Sequence, residues 1–174
     1  MQKEFIETKR LILRKFRIED AEEMFSTWCN DPEVTKYITW NPHKSVEETR
    51  VILSKWIEEY DDPKTVRYGI TIKSSDKLIG SIDIVDFIND IPEIGYCSGK
   101  AYWNNGYMTE ACKALIEYIL SLGYKGAIIR ADADNIGSNR VIQKCGLTFV
   151  KQTEEPISSL KPVIRKINYY ELKA

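Results

Sequence analysis

The feature that most constrains the fold is a change of rhythm close to residue 91. Upstream of it, Val66, Tyr68, Ile70 and Ile72 recur at every second position, the period of a half-buried strand. Ser74-Ser75-Asp76 reads as a turn, Leu78 to Phe87 as the returning strand, Asn89-Asp90 as a second turn and Ile91 to Cys97 as a further strand. The pattern then becomes helical. Met108, Ala111, Cys112, Leu115, Ile116 and Ile119 fall on one helix face. Gly123 closes that helix, and Gly126 to Ala133 reads as a strand again. A meander that runs directly into strand–helix–strand predicts an α/β (α+β) chain. Its sheet is mixed and mostly antiparallel, with one parallel crossover and flanking helices.

The remaining segments extend this plan. Thr8–Phe16 reads as a first strand, with Leu11 and Leu13 on one face and Arg10, Ile12 and Arg14 on the other. Ile18-Glu19-Asp20 opens a helix carrying Ala21, Met24, Phe25 and Trp28, and Asp31-Pro32 breaks it. A short helix or turn through Tyr37 leads to an aromatic loop, Trp40-Asn41-Pro42-His43. Ser45 with Glu48 three residues on has the form of a capping box. It starts a helix whose stripe is Thr49, Ile52, Leu53, Trp56, Ile57 and Tyr60. Asn135 to Cys145 is a short helix before Gly146, and the last strands are Leu147–Thr153 and Val163–Leu172. No repeat, low-complexity tract or linker divides the chain, so residues 1–174 are expected to form a single domain.

Charge and composition narrow the function classes. Lys and Arg number 25 against 26 Asp and Glu, a net charge of −1. That balance argues against duplex nucleic acid as the main partner, which calls for a basic face. No window reaches the ~20 apolar residues of a membrane span, and the opening Met1-Gln2-Lys3-Glu4-Phe5 has no apolar leader core. Cys29, Cys97, Cys112 and Cys145 are widely spaced. Reduced thiols in a cytoplasmic protein are the simplest reading. His43 is the one histidine, so no metal centre is expected.

The stretch most informative about chemistry is Glu93 to Ala111, in which a strand enters a loop and the loop enters a helix. The first N–H groups of a helix lack intrahelical acceptors, and the helix dipole adds positive charge there. Such an end accepts a phosphate or pyrophosphate. Gly106 lets the backbone approach it closely. Spacing alone fits a simple helix cap equally well. GxxxxGK[ST] is absent, and Gly99 and Gly106 lie too far apart for GxGxxG.

Several segments, in order, resemble the GNAT superfamily of acyl-CoA-dependent N-acyltransferases, and within it the branch of ribosomal-protein N-terminal-alanine acetyltransferases. Thr8-Lys9-Arg10-Leu11-Ile12-Leu13-Arg14 is similar to that branch's opening strand, and Ile79-Gly80-Ser81-Ile82 to its mid-sheet strand. Glu93-Ile94-Gly95-Tyr96 is similar to the strand before the pyrophosphate loop, and Tyr102 to Ala111 to the loop and helix start. Asn135 to Leu147 is similar to its Asn-x-x-Ser helix ending in Lys-x-Gly-Phe. The chain departs from the superfamily pattern at Trp103, where Gln or Arg is common, at Met108, where Gly or Ala is common, and at Leu147, where Phe is usual.

The resemblance implies a splayed GNAT-like sheet and acetyl transfer from acetyl-CoA, without a metal, to a primary amine by direct attack in a ternary complex. Backbone groups of Tyr96, Cys97 and Ser98 would pair with the pantetheine arm. N–H groups from Asn104, Asn105, Gly106, Tyr107, Met108 and Thr109 would hold the pyrophosphate. Glu93 is the implied general base, acting through water, and Ser138 the implied proton donor to the leaving thiolate or a CoA contact. Asn135 and, more weakly, Asn139 and Arg140 are implied CoA contacts, while Tyr37, Trp40 and His43 would line the acceptor pocket. Each has a plainer reading: a solvated or ion-paired strand carboxylate, helix-cap residues, a surface arginine, an aromatic loop packed on its own scaffold. A cysteine nucleophile at Cys97 lacks an obvious base.

The acceptor would be a protein N-terminus or a small amine. A small cation would need a closed acidic pocket, for which Glu47, Glu48, Glu58, Glu59, Asp61 and Asp62 are candidates. No nucleic-acid or membrane partner is expected, and a homodimer is left open. The competing function class is a CoA-binding sensor or interaction module without turnover.

Overall fold

The computed structural model describes residues 3–174. Its chain order is β1 (Phe5–Glu7), β2 (Leu11–Arg14), α1 (Ala21–Met24), α2 (Pro32–Thr35), α3 (Val46–Glu58), β3 (Arg67–Ile72), β4 (Leu78–Ile88), β5 (Ile91–Ser98), α4 (Tyr107–Ser121), β6 (Gly126–Asp132), α5 (Ile136–Lys144), β7 (Thr148–Pro156) and β8 (Ile164–Lys173). Eight strands form one open sheet in the order β1-β2-β3-β4-β5-β6-β8-β7. Every strand pair is antiparallel except β5 with β6, the crossover spanned by α4. The expected mixed, mostly antiparallel sheet is therefore present.

Each face of the sheet has its own core. On one face, Leu11, Leu13, Tyr68, Ile70, Ile82, Ile94 and Ile129 meet Ala111, Cys112, Leu115 and Ile119 of α4 and Ile142 of α5. The helical periodicity of α4 is satisfied by this contact, because its buried residues are those of the apolar stripe. On the other face, Phe16, Met24, Trp28, Leu53 and Leu78 form a second cluster beneath the N-terminal helical segments. The turn Asn89-Asp90 joins β4 to β5 with both residues at positive φ, 51° and 65°, as a two-residue hairpin requires.

The first strand departs from expectation. Thr8–Phe16 is not one strand: Phe5–Glu7 pairs antiparallel with Leu11–Arg14, and Thr8 to Arg10 is the turn between them. Thr8 closes that turn by donating its backbone N–H to the Leu11 carbonyl at 2.9 Å. The following helix is also less regular than its periodicity suggests. It begins as a 3₁₀ turn at Ile18–Asp20 and ends as a π turn at Phe25–Cys29. That wider turn presses on the end of β5, where a Cβ on Gly99 would lie 2.7 Å from the Thr27 carbonyl oxygen. Asp31 both ends this run and caps α2, accepting from Glu33 N–H at 2.8 Å.

Candidate active site

The parallel pair β5/β6 is short. Glu93 stands opposite Ile128, and that is the one register pair between the two strands among the described residues. Beyond it β5 continues to Ser98 and β6 to Asp132, so the sheet forks. Residues 94–98 remain paired with β4 on one side and offer an unpaired backbone edge on the other. Such an edge can take an extended ligand as an added strand. Tyr96, Cys97 and Ser98 all lie along it.

Helix α4 starts above this fork. Its N-cap is Gly106, at φ 77°, with no side-chain hydrogen bond to the first turn. Asn104, at φ 60°, also takes the left-handed conformation. The loop is braced by Trp103 Nε1–H donating to the Ser98 carbonyl and Asn105 Nδ2–H to the Trp103 carbonyl, both at 2.9 Å. Arg10 Nη1–H donates to the Asn105 carbonyl at 2.9 Å. Asn104, Asn105 and Gly106 are exposed, so the uncapped amides at the head of α4 face solvent and suit an anion. Tyr107 and Met108 turn their side chains to the first core. The bulk of Met108 thus lies away from the helix end, which leaves its backbone free for the role a smaller residue commonly fills.

Glu93 sits at the branch point, on the last paired residue of β5. Its side chain is only 6% exposed, and Oε1 accepts from Arg130 Nε–H at 2.6 Å. Oε2 is buried and has no hydrogen-bond partner among the described residues. Burial pushes the Glu93 carboxyl above its usual range, and Arg130 opposes that rise. The plainer reading of a solvated strand carboxylate does not hold, and the ion-paired one holds for one oxygen. Arg130 is itself held by Glu155 at 3.2 Å, and Glu155 accepts from the Tyr169 hydroxyl at 2.9 Å.

The head of α5 is built differently. Asn135 Oδ1 accepts from Ser138 N–H at 3.2 Å, so Asn135 is the helix N-cap. Asn139 Nδ2 donates to the carbonyls of Asp132 and Asn135, and its Oδ1 accepts from Asn168 and Tyr170. That amide ties α5 to β6 and β8. Ser138 Oγ lies 2.9 Å from the Tyr96 hydroxyl. The two hydroxyls therefore bridge α5 and β5 across the fork. Burial raises the Tyr96 phenol well above its usual range, so it stays protonated. Arg140 is exposed.

Cys97 Sγ lies 3.4 Å from Ser81 Oγ, and burial pushes its thiol up to about 11. A protonated thiol is a poor nucleophile. The early loop divides. His43 Nδ1 is 2.7 Å from Thr49 Oγ1, and its ring lies 5.1 Å from that of Trp40, which packs on the second core. Those two residues lock the loop to its own scaffold. Tyr37 reaches across instead, its ring 5.6 Å from the Arg165 guanidinium. Arg165 pairs with Asp132, at the end of β6, at 2.8 Å. Tyr37 thus lies beside the end of β6, while Trp40 packs on the same cluster as Cys97 of β5.

The six acidic candidates form no closed pocket and read as solvated helix charge. Glu47, Glu48, Glu58, Glu59, Asp61 and Asp62 are all exposed. The more buried carboxylates nearer the fork each pair with an arginine that also holds a second carboxylate: Glu93 and Glu155 with Arg130, Asp132 and Asp134 with Arg165, Asp83 and Glu59 with Arg67. Among the described residues no group of three or more His, Cys, Asp or Glu could hold a metal ion. No helix of the described residues is long and apolar enough to cross a membrane, and all four cysteines are free.

The sequence pattern does not single out Arg130 or the Tyr96 hydroxyl. A charged residue in the middle of the apolar run Ala127-Ile128-Ile129-Arg130-Ala131 is the available sign of the first. Nothing local marks the second.

Comparison with known proteins places this geometry. The Acetyltransferase (GNAT) domain family matches residues 10–148. An uncharacterized N-acetyltransferase, p20, of Bacillus licheniformis is 32% identical over 152 residues, covering 86% of this chain and 84% of that protein. Among solved structures, RimL, a ribosomal L7/L12 alpha-N-protein acetyltransferase in complex with coenzyme A, superposes with a TM-score of 0.85 at 20% identity, covering 98% of both chains. The microcin C7 self-immunity acetyltransferase MccE, in complex with acetyl-CoA and AMP, gives 0.83 at 21% identity over 96% of this chain and 94% of that one.

Proposed function

The chain belongs to the GNAT family of acetyl-CoA-dependent N-acetyltransferases, and from that premise we propose that it acetylates a primary amine by direct attack while both substrates are bound. The observation that carries the reading is the fork. It opens at Glu93 and is headed by the uncapped amides of α4. Residues 1–174 are read as one catalytic domain.

The residues present fit the donor. The amides of residues 106–109 would hold its diphosphate, Gly106 supplying the left-handed turn that starts the helix. The free edge of Tyr96, Cys97 and Ser98 would receive the pantetheine arm as an extra strand. Asn135, with Oδ1 spent on the cap, would contact it through Nδ2. Acetyl-CoA supplies an acyl group on a sulfur leaving group.

Glu93 would take the proton from the amine. Arg130 occupies Oε1 and so leaves Oε2 as the basic atom. The raised pKa brings this carboxylate closer to the operating pH, where a general base works best. Ser138 Oγ would give a proton to the leaving thiolate, with the Tyr96 hydroxyl beside it orienting the serine.

The acceptor is proposed to be an exposed protein N-terminus. RimL, of the same fold, acts on a protein alpha-amine. Tyr37 and Arg165 would line the entrance, with Trp40 and His43 behind them. The test is thiol release from acetyl-CoA with a panel of acceptors: peptides beginning with alanine or serine, free amino acids, polyamines and aminoglycosides. Release with the peptides is expected. Release with a polyamine alone would overturn the acceptor assignment. Tight CoA binding with no acceptor-dependent thiol would identify the competing sensor.

A further inference from the structure

The turn between β1 and β2 touches the cofactor loop through one arginine. Glu110, in the first turn of α4, accepts three hydrogen bonds from this turn: Thr8 Oγ1–H at 2.7 Å and Arg10 N–H at 2.8 Å on Oε1, and Arg10 Nε–H at 2.7 Å on Oε2. These bonds, with the charge of Arg10, hold the Glu110 carboxyl below its usual range against the opposing effect of burial. The Arg10 guanidinium, so anchored, lies 4.5 Å from the centre of the Tyr107 ring and donates from Nη1 to the Asn105 carbonyl at 2.9 Å. Its Nη2 lies 3.3 Å from where a Gly106 Cβ would be. The arginine therefore occupies ground that the glycine leaves open.

A trans peptide unit is planar, and its C=O and N–H point to opposite sides. Holding the Asn105 carbonyl thus fixes the direction of the Gly106 N–H. That N–H points away from Arg10, and it belongs to a peptide between two residues with no side-chain cap to hold it. We propose that Arg10 is a positioning residue for the donor: anchored by Glu110, it latches the Asn105–Gly106 peptide so that the Gly106 amide faces the diphosphate. This inference rests on the reading of the α4 loop as the diphosphate site. It adds the group that keeps the loop in its binding conformation. Arg10 itself touches none of the reacting atoms.

The experiment compares two donors, acetyl-CoA and S-acetylpantetheine, which lacks the nucleotide diphosphate. The variants are Arg10→Met, which removes the latch, and Arg10→Lys, which keeps the charge without the planar fork. For the wild type, kcat/KM is expected to be far higher with acetyl-CoA. Arg10→Met should raise KM for acetyl-CoA about 10-fold, the size of one hydrogen-bonded contact. The value of kcat at saturation and kcat/KM for S-acetylpantetheine should stay within about twofold, because neither depends on the diphosphate contact. Arg10→Lys should lie nearer to Arg10→Met than to the wild type. Equal losses with both donors would make Arg10 a purely structural brace and overturn the latch. A wild-type KM in Arg10→Lys would mean that charge alone suffices, and the latch would fall on that result too. A wild type that uses both donors equally would overturn the loop reading itself, an outcome separable from the others because it needs no variant.

Discussion

Helices α4 and α5 both begin where a central strand ends, yet their first turns are finished in opposite ways. The head of α5 is closed by its own side chains. Asn135 caps the first turn, Asn139 ties it to β6 and β8, and the Ser138 hydroxyl is joined to Tyr96. The head of α4 begins at a left-handed glycine with no side-chain cap. Both ends carry the same dipole and the same set of orphan amides. In α5 part of that binding capacity is consumed internally and steadies the helix. In α4 it stays available for an anion. Of the three helices of nine residues or more, α3 and α5 are capped by Ser45 and Asn135 and α4 is left bare, so the head of α4 is the place to look for a ligand.

That contrast can be broken most sharply at Gly106. Glu there would crowd Arg10 Nη2, 3.3 Å from its Cβ, and put a negative charge beside the open amides, in a conformation costly for any side chain. CoA binding measured by titration calorimetry should weaken by at least about 100-fold, the scale of losing the diphosphate contact. Gly106→Ala, with strain but no charge, should lose much less. Unchanged CoA affinity in Gly106→Glu would remove α4 as the diphosphate site.

The next effect tests the branch point below. Glu93→Gln should lower kcat/KM about 100-fold, within the usual span of general base catalysis, with little change in CoA affinity. The base works only when deprotonated, and burial has raised its pKa. Wild-type activity should therefore fall as pH drops through a value above the ordinary carboxylate range. The variant should lose that acid limb. A variant whose pH–rate profile overlays the wild type would leave Glu93 without a catalytic part.

The smallest effect belongs to the closed end. Asn135→Ala should lower stability by about 1 kcal/mol, as lost caps do. Thermal or denaturant unfolding would read this directly. KM for acetyl-CoA should rise no more than about threefold, since Asn135 has only Nδ2 to spare and a lost neutral hydrogen bond is worth little more. A loss of CoA binding as deep as that of Gly106→Glu would erase the distinction between the two helix heads.

Much of this was legible along the chain because it is local. Leu11 and Leu13 lie two apart and are both fully buried. Ser45 caps α3 by accepting from Glu48 N–H, as its spacing implied, although the Glu48 carboxylate turns to the Lys44 N–H. Asn135 was readable as a cap from its place before the helix. The turn at Thr8 to Arg10 was not. Its residues are strand-like in pattern, and what bends them is Glu110, about 100 positions away. The partners of His43, Thr49 six positions on and the tilted Trp40 ring, likewise emerge from the folded loop.

The sequence by itself determined the order of the elements from β3 onward and the loop that heads α4. Strand and helix periods, cap residues and a glycine with positive φ all act within a few residues of one another. Only the tertiary structure decided where β5 and β6 part, that the parting falls on Glu93, and that Arg130 takes one of its oxygens and leaves the other bare. Those outcomes depend on burial and on partners brought together by the sheet. A carboxylate's environment is a property of the space around it, and no spacing along a chain encodes that space.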